Sequence, residues 1–369
     1  MKCIEVSDIG QDGRSGEVHM ATRGGFESVG FPESRRLAGG RFLIRALICQ
    51  AVIMTGCITP PAVLETPGPA VYRSVDYVVV QLESTTSPDQ LATQFLNHSR
   101  EAWRVEEANA GVRFEKGRTV VIPLRWRNKG GLYADGYQTV PILTYHRFDN
   151  DCQSPLCMPA AVFRDQIRYL KDNGYHAITP EELLAFLEYR GPLPKKSVLI
   201  SIDDGYRSVF DIAYPILREA GFTATLFIYT ELVGVSPIAL TWDQLLEMKR
   251  NGLSIGSHTI FHSDLTQPKE GESEAEHSAR VVKELVGSKQ LLDRKLNQDT
   301  WIFAYPYGNY DQKVVACTRQ AGYKLAMSVK RGGNPFFSNP FTLRRDQILE
   351  RDMPTFVKRL KTFTPLPLN

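Results

Sequence analysis

The sequence has little net charge, few cysteines and no apolar run long enough to span a bilayer. Lys and Arg number 44 against 41 Asp and Glu, which leaves a net charge of +3 and gives no support to a basic face that would bind nucleic acid. Six cysteines in 369 residues exclude a disulfide-stapled scaffold. A hydrophobic fraction of 43% and a charged fraction of 23% are ordinary for globular domains. The length predicts two domains with additional segments.

The first 57 residues are typical of an export signal. A basic flank precedes the apolar run 46–54, and small residues follow it, as in secretory signals. The run is too short to cross a bilayer as a helix, which needs about 20 apolar residues. It ends in Met-Thr-Gly-Cys57, which resembles a bacterial lipobox and implies lipidation of Cys57; a plain signal peptide is the alternative. We therefore expect an exported protein, attached through Cys57 to envelope lipid at the outer membrane or cell surface, with residues 58–76 as a tether.

Export affects the interpretation of one cysteine pair. Cys152 and Cys157 lie five residues apart in a loop that contains proline. An oxidising compartment permits them to form a disulfide. Two unpaired loop thiols are the alternative.

Residues 77–126 predict a small α+β module. Tyr77–Val80 has the pattern of a strand, helical spacing follows it, and residues 119–122 form a closing strand before Pro123. The opening Tyr-x-Val, the Leu-Ala-x-x-Phe helix and the closing Gly-x-x-Val-x-Ile-Pro resemble a LysM module. This resemblance implies binding of glycans that contain N-acetylglucosamine, such as peptidoglycan and chitin. The usual Gly-Asp-Thr is Glu-Ser-Thr at 83–85, so a purely structural role is the alternative.

After a linker at 127–139, residues 140–350 alternate between strand and helix patterns. Apolar strand patterns at 140–145 and 197–202 are each followed by amphipathic stretches at helical spacing. About seven such units predict a distorted (β/α) barrel, in which functional groups gather at the carboxyl ends of the strands. Residues 351–369 are expected to form a C-terminal tail.

Polar residues directly follow three of these strands. Asp203 and Asp204 end the first strand, and His258 and His262 follow the second with metal-ligand spacing. Taken alone, the carboxylates could cap a helix, and the imidazoles could be solvated loop residues. Together they offer two nitrogens and one oxygen to a divalent metal, with a position left open for water. The third strand runs into the turn 305–308, which could equally be an ordinary turn with packed aromatic rings.

These motifs resemble the polysaccharide deacetylase family, whose catalytic part is the NodB-homology domain. Its Thr-Phe-Asp-Asp-Gly motif matches Ser-Ile-Asp-Asp-Gly at 201–205, and its His-(Ser/Thr)-x-x-His motif matches 258–262. Its Arg-x-Pro-Tyr motif matches 304–307 except at the first position. The resemblance covers somewhat more than half of the chain.

The resemblance implies a role for each of the matching residues. Asp203 is the general base, while Asp204, His258 and His262 hold one divalent metal. Zinc is favoured, with cobalt, nickel and iron as alternatives, since one carboxylate and two imidazoles suit all of them. The backbone N–H of Tyr307 would help to stabilise the oxyanion.

The chain departs from the family pattern in two places. The arginine of the third motif is Ala304, and either Arg344 or Arg345 could supply the missing cation, with two surface charges as the alternative. The late Leu-x-x-His motif has no match, and His146 is our candidate general acid, with a packing histidine as the alternative. We assign Arg345 to the catalytic group.

The implied function is removal of N-acetyl groups from a polymer that contains N-acetylglucosamine, with release of acetate. The polymer could be poly-N-acetylglucosamine, peptidoglycan or a chitin-like glycan, and Tyr305 and Pro306 are expected to contact it. The alternatives are an O-acetyl esterase and a non-catalytic glycan-binding lipoprotein. The expected partners are this acetylated glycan and envelope lipid, with no nucleic acid, and the protein is expected to be a monomer.

Overall fold

The structure is a computed structural model that describes residues 70–366. The predicted leader, the lipidation site Cys57 and most of the tether lie outside the described residues. Between residues 70 and 366, no helix combines the length and apolar character needed to cross a bilayer.

The small module is a three-stranded antiparallel sheet covered by two helices. Its elements are β1 (Ala70–Arg73), β2 (Tyr77–Gln81), α1 (Pro88–Leu96), α2 (Ala102–Ala108) and β3 (Thr119–Pro123). The strand order is β1-β2-β3, and alternate residues of β2 and β3 point into the module's own apolar core. The predicted strand–helix–helix–strand order is present. Strand β1 lies in the stretch predicted as tether, so the folded module begins earlier than the sequence indicates.

The described residues after the small module are built mainly around a parallel sheet. The strands of this region, in that sheet and in smaller ones, are β4 (Leu132–Tyr133), β5 (Gly136–Gln138), β6 (Ile142–Tyr145), β7 (Arg147–Asp149), β8 (Cys157–Pro159), β9 (His176–Ala177), β10 (Ser197–Asp204), β11 (Thr225–Ile228), β12 (Ser254–Ser257), β13 (Ile302–Ala304), β14 (Leu325–Met327), β15 (Asp346–Gln347) and β16 (Phe363–Pro365). Its α-helices are α3 (Ala160–Asp172), α4 (Pro180–Leu187), α5 (Tyr214–Ala220), α6 (Trp242–Arg250), α7 (Glu274–Leu296), α8 (Gln312–Gln320) and α9 (Met353–Arg359).

The main sheet has the order β14-β13-β12-β11-β10-β6-β15, and β9 pairs beside it with β10. All of these pairs are parallel. Every residue of β10 is buried, which is typical of a central strand covered on both faces. Leu343 bridges to Met327 in β14, while Asp346 pairs with Leu143 in β6. The segment 343–347 therefore links both edges of the sheet and curls it, which confirms the predicted distorted barrel.

Several helices begin where their capping residues require. Thr179 caps α4, with Pro180 in the first turn, and Thr241 caps α6, both in capping boxes. In such a box the threonine oxygen accepts a backbone N–H that would otherwise lack a partner. These positions confirm the predicted starts of the two helices.

The Cys152–Cys157 disulfide is formed, and it closes the short loop between β7 and β8. This confirms the paired alternative for the two thiols.

The segments predicted as linker and tail belong to the folded domain. Strand β5 of the linker pairs antiparallel with β4 and with β16 of the tail. Helix α9, also in the tail, places Phe356 in the main core, with 1% of its surface exposed. Strands of two or three residues show too little alternation to be recognised in a sequence.

We expect Phe356→Ala to lower the free energy of unfolding by about 3–5 kcal/mol, because it removes a buried ring from the core. The control is Val357→Ala on the same helix, where the side chain is 36% exposed. Urea unfolding of both variants measures the difference. Equal stability of the two variants would show that the tail does not contribute to the core.

Candidate active site and metal centre

The side chains that the sequence predicts to be catalytic or metal-binding meet at the carboxyl edge of the parallel sheet. Asp203 and Asp204 end β10, and His258 directly follows β12. His146 follows β6, whose last residue, Tyr145, pairs with Ile202, so the next residues along the two strands are His146 and Asp203. Parallel strands bring their carboxyl ends to the same edge, which is why residues distant in the sequence become neighbours here.

Asp204, His258 and His262 form a cluster that fits a metal ion. Their ligand atoms lie within 4.8 Å of one another, and Asp204 Oδ1 is 3.8 Å from His258 Nε2 and 3.5 Å from His262 Nε2. Asp204 Oδ1 is buried and has no hydrogen-bond partner. A buried carboxylate oxygen without a donor is costly, and a cation among the three side chains would satisfy it.

The two imidazoles are in the form that binds metals. His258 Nδ1 lies 2.7 Å from the carbonyl oxygen of Ala304; the carbonyl can only accept, so Nδ1 carries the proton and Nε2 presents its lone pair to Asp204. Burial lowers the pKa of His258 to about 3 and also lowers the pKa of His262. Both rings are therefore neutral near pH 7, as metal ligation requires.

The two adjacent carboxyl groups have pKa values that are pushed apart. Burial, followed by repulsion from Asp203, raises the pKa of Asp204 to about 7. Burial also acts to raise the pKa of Asp203, but the charge of Arg345 and the neighbouring histidines lowers it below its ordinary value overall. Such a separation lets one carboxylate stay ionised beside a second one. Asp203 is thus available to accept a proton, while Asp204 gains most from a cation.

Arg345 forms a buried ion pair with Asp203. Its two terminal nitrogens donate to the two oxygens of Asp203 at 2.7 and 2.8 Å, and its Nε donates to the carbonyl of Ser328 at 2.8 Å. Arg345 is completely buried, whereas Arg344 is exposed. Of the two arginines that the sequence left open, Arg345 reaches the site.

The backbone is strained at four places in this site. Asp204, Thr259, His262 and Tyr307 have φ angles of 76°, 73°, 55° and 58°, in the left-handed region that non-glycine residues seldom adopt. Residues held in this region cluster at functional sites, where the surrounding contacts impose the conformation.

Neither of the simpler interpretations of these motifs holds. The helical segment after β10 begins with a π-turn at Val209–Ala213, and its N-cap is Ser208, without a side-chain cap. The carboxylates of Asp203 and Asp204 therefore do not cap a helix. His258 is 2% exposed, so it is not a solvated loop residue.

The turn after β13 differs from the prediction in one respect. Tyr305 is completely buried, and its hydroxyl donates to the carbonyl of Phe341 at 3.0 Å. The prediction that Tyr305 contacts substrate is therefore wrong, because this ring anchors the turn from inside. Pro306 is buried as well, so the prediction that it contacts substrate is also wrong. Tyr307 is 62% exposed, and its ring packs edge-on against His262 with centroids 4.7 Å apart.

His146 lies within electrostatic reach of the site. Burial lowers its pKa, although the charge of Asp203 opposes that effect. The pairing of β6 with β10 places His146 at the edge where the candidate base Asp203 lies. Its role as general acid stays a prediction.

The sequence reasoning missed Glu284. This residue is 2% exposed on α7, and its carboxylate accepts hydrogen bonds from the loop between His258 and His262. The sequence contains a pattern that could have identified it: Val281, Leu285 and Leu292 recur at helical spacing and define the buried face of α7, on which Glu284 also lies.

Comparison with known proteins identifies relatives of this chain. The family model for polysaccharide deacetylases matches residues 190–326. YxkH of Bacillus subtilis (strain 168), assigned to the polysaccharide deacetylases, is 32% identical over 211 residues, covering 57% of this chain and 71% of YxkH. The poly-beta-1,6-N-acetyl-D-glucosamine N-deacetylase of Staphylococcus aureus (strain MRSA252) is 28% identical over 206 residues, covering 54% of this chain and 71% of that protein.

A solved structure is similar over the same region. The Streptococcus pyogenes deacetylase PplD, solved in complex with acetate, superposes with a TM-score of 0.55 and 30% identity. The match covers 60% of this chain and 97% of PplD.

Proposed function

Because the chain belongs to the polysaccharide deacetylase family, we propose that it hydrolyses the N-acetyl groups of a poly-N-acetylglucosamine polymer with one divalent metal. The observation that carries this proposal is the cluster of Asp204, His258 and His262 beside the buried pair of Asp203 and Arg345. A domain that only held glycan would have no use for three metal ligands and an ionised base.

Asp204, His258 and His262 would hold the cation, and the orphaned oxygen of Asp204 supports that fit. When bound, a divalent cation polarises a carbonyl and lowers the pKa of water to about 7. Zinc is the ion we favour, with cobalt, nickel and iron as alternatives, because one oxygen and two imidazole nitrogens suit each of them.

The chain's own residues then divide the proton transfers. Asp203 accepts the proton of the water that attacks the acetamide carbon, and Arg345 keeps that carboxylate ionised and fixed. The backbone N–H of Tyr307 faces the developing oxyanion. His146 donates a proton to the departing amine, and its lowered pKa makes it a stronger acid that is less often protonated at neutral pH. The products are acetate and a free amine on the sugar.

The remaining features fit an enzyme of the bacterial envelope. The LysM-like module would hold glycan near the catalytic domain. Export and lipid attachment through Cys57 would bring a monomeric enzyme to its polymer. The similarity to the Staphylococcus aureus enzyme favours poly-N-acetylglucosamine over peptidoglycan and chitin-like glycans.

The test is acetate release by the metal-loaded protein from defined acetylated glycans. We expect release from β-1,6-linked N-acetylglucosamine oligomers, loss of release after chelation, and recovery when metal is added back. Chitin oligomers, peptidoglycan fragments and an O-acetylated xylan are the comparison substrates. Faster release from the O-acetyl ester than from every N-acetyl substrate would contradict the proposal.

A further inference from the structure

We infer that Glu284 is a positioning residue for the metal centre: its buried carboxylate organises the loop that carries His258 and His262 and adds negative charge behind it. The inference rests on the proposed function, since it concerns metal binding at this site. It assigns a role to helix α7, which contributes none of the three ligands.

The contacts of Glu284 are directed at the ligand loop. One carboxylate oxygen accepts the backbone N–H groups of Ile260 at 2.7 Å and Phe261 at 3.1 Å, and the other accepts the hydroxyl of Ser263 at 3.1 Å. Three hydrogen bonds thus join one side chain to the residues between and beside the two histidines. Hydrogen bonds to a charged acceptor are stronger than neutral ones, so this carboxylate fixes the loop more firmly than a neutral side chain would.

The loop needs such support because its conformation is strained. Thr259 and His262 both have left-handed φ angles. The two residues between them, Ile260 and Phe261, both donate their backbone N–H groups to the same oxygen of Glu284. Successive N–H groups that converge in this way form an anion-binding concavity. The buried carboxylate of Glu284 fills this concavity and so holds the loop in its strained conformation.

The face of α7 next to the loop is shaped for this contact. Gly287 follows Glu284 by three residues, and a Cβ atom there would lie 2.7 Å from Ile260 Cδ1. Ser288 follows by four residues, and its hydroxyl lies 2.8 Å from that of Ser257 at the end of β12. One helix face therefore holds the start and the middle of the loop.

Glu284 forms no direct ion pair with a lysine or arginine among residues 70–366, although the pKa of Arg280 is raised first by its hydrogen bonds to Glu272 and further by the charges of Glu272 and Glu284. Arg280, one turn earlier on α7, pairs with Glu272 at 2.7 Å instead. The carboxylate of Glu284 is buried against the loop that carries His258 and His262. A buried negative charge close to the metal ligands would also stabilise a bound cation.

The experiment measures metal affinity independently of activity. Apparent Kd values for Zn²⁺ are determined by competition with a chromophoric chelator, on wild type, Glu284→Gln and Glu284→Asp. Glu284→Gln keeps the shape but removes the charge, and we expect roughly 10- to 100-fold weaker binding, the range typical of groups that orient metal ligands. Glu284→Asp retains the charge but withdraws it from the loop. Its Kd should lie between those of wild type and Glu284→Gln.

Two controls on the same helix separate this role from a general loss of stability. Glu274→Gln removes an equal charge at an exposed position that pairs with Lys313, and its Kd should equal that of wild type. Leu292→Ala creates a cavity in the main core, and should lower the melting temperature without changing the Kd. Should Glu284→Gln fail to fold, Glu284→Asp tests the same contacts, because the shorter side chain withdraws the carboxylate from the loop, with a loss expected near the lower end of that range.

A folded Glu284→Gln protein that binds Zn²⁺ within about threefold of wild type, far below the 10-fold minimum expected, would overturn the inference and leave the proposed function intact. If Glu284→Gln does not fold, an unchanged Kd for Glu284→Asp would overturn it equally. A wild-type protein that binds no divalent metal would overturn both the inference and the metal-dependent function.

Discussion

Asp203→Asn is expected to lower kcat for acetate release about a thousandfold, within the range of 10²–10⁴ that positioned acid–base groups contribute. The amide cannot accept the proton of the attacking water. Asp203 is suited to that step because Arg345 and the neighbouring histidines keep its pKa below the ordinary value in spite of burial. The measurement is initial-rate kinetics on an N-acetylglucosamine oligomer at saturating metal.

Metal affinity distinguishes loss of the base from loss of the metal centre. Asp203 Oδ2 lies 4.0 Å from His258 Nε2, and Asp203 is not one of the three clustered ligands. Asp203→Asn should therefore retain metal binding, whereas the matched variant Asp204→Asn should lose both metal affinity and activity. If kcat for Asp203→Asn stays within about tenfold of wild type, below the range for general-base loss, Asp203 is not the base.

Arg345→Met is expected to lower the free energy of unfolding by about 3–5 kcal/mol at pH 7, because it leaves a buried carboxylate without its partner. The guanidinium is completely buried and binds both oxygens of Asp203. Methionine has a similar volume, so the loss reports on charge rather than on packing. Arg344→Met is the matched control, since its side chain is exposed and lies beside the same segment.

The pH dependence of this loss has a defined direction. In wild type the pKa of Asp203 is lowered in the folded state, so the stabilisation from the pair is present above the unfolded pKa of about 3.9. This stabilisation is lost as the pH falls through the lower pKa that Asp203 has in the folded state. In Arg345→Met, burial is no longer offset by the guanidinium, so the pKa of Asp203 rises and ionisation at higher pH destabilises the fold.

The difference in stability between the two proteins should therefore widen as the pH increases from about 4 towards 7. Urea unfolding at several pH values measures it. The acid limb of kcat/KM should also move to higher pH in Arg345→Met, because the base needs a higher pH to ionise. A stability difference that is constant with pH would contradict an ionised Asp203 paired with Arg345.

The grouping of the site could be predicted from the sequence because each member follows a strand of one parallel sheet. The carboxyl ends of β10 and β12 carry Asp204 and His258, and the rule that these ends share an edge brings them together. The choice between Arg344 and Arg345 could not be made in this way. It depends on which side chain of the closing segment points into the barrel, and neighbouring residues on an extended segment point to opposite sides.

The parts that the sequence did not reveal depend on contacts distant along the chain. Strand β5 is three residues long and is defined by its pairing with β16, more than two hundred residues away, which no local pattern encodes. Tyr305 lies in a turn rich in aromatic residues, where the sequence suggests an exposed side chain. A hydrogen bond from its hydroxyl to the carbonyl of Phe341 instead keeps the ring buried. Glu284 is one of several acidic residues on α7. Its burial is explained only by the position of the ligand loop, whose N–H groups it accepts.

The segment 343–347 also determines when the enzyme becomes competent. Asp203, Asp204, His258, His262 and Tyr307 all precede Arg345 in the chain, so Arg345 is the last of the group to leave the ribosome. The same segment joins β14 to β6, so the residues that close the sheet also carry the guanidinium that binds Asp203. We therefore expect a chain whose carboxyl-terminal part has not yet folded to be inactive.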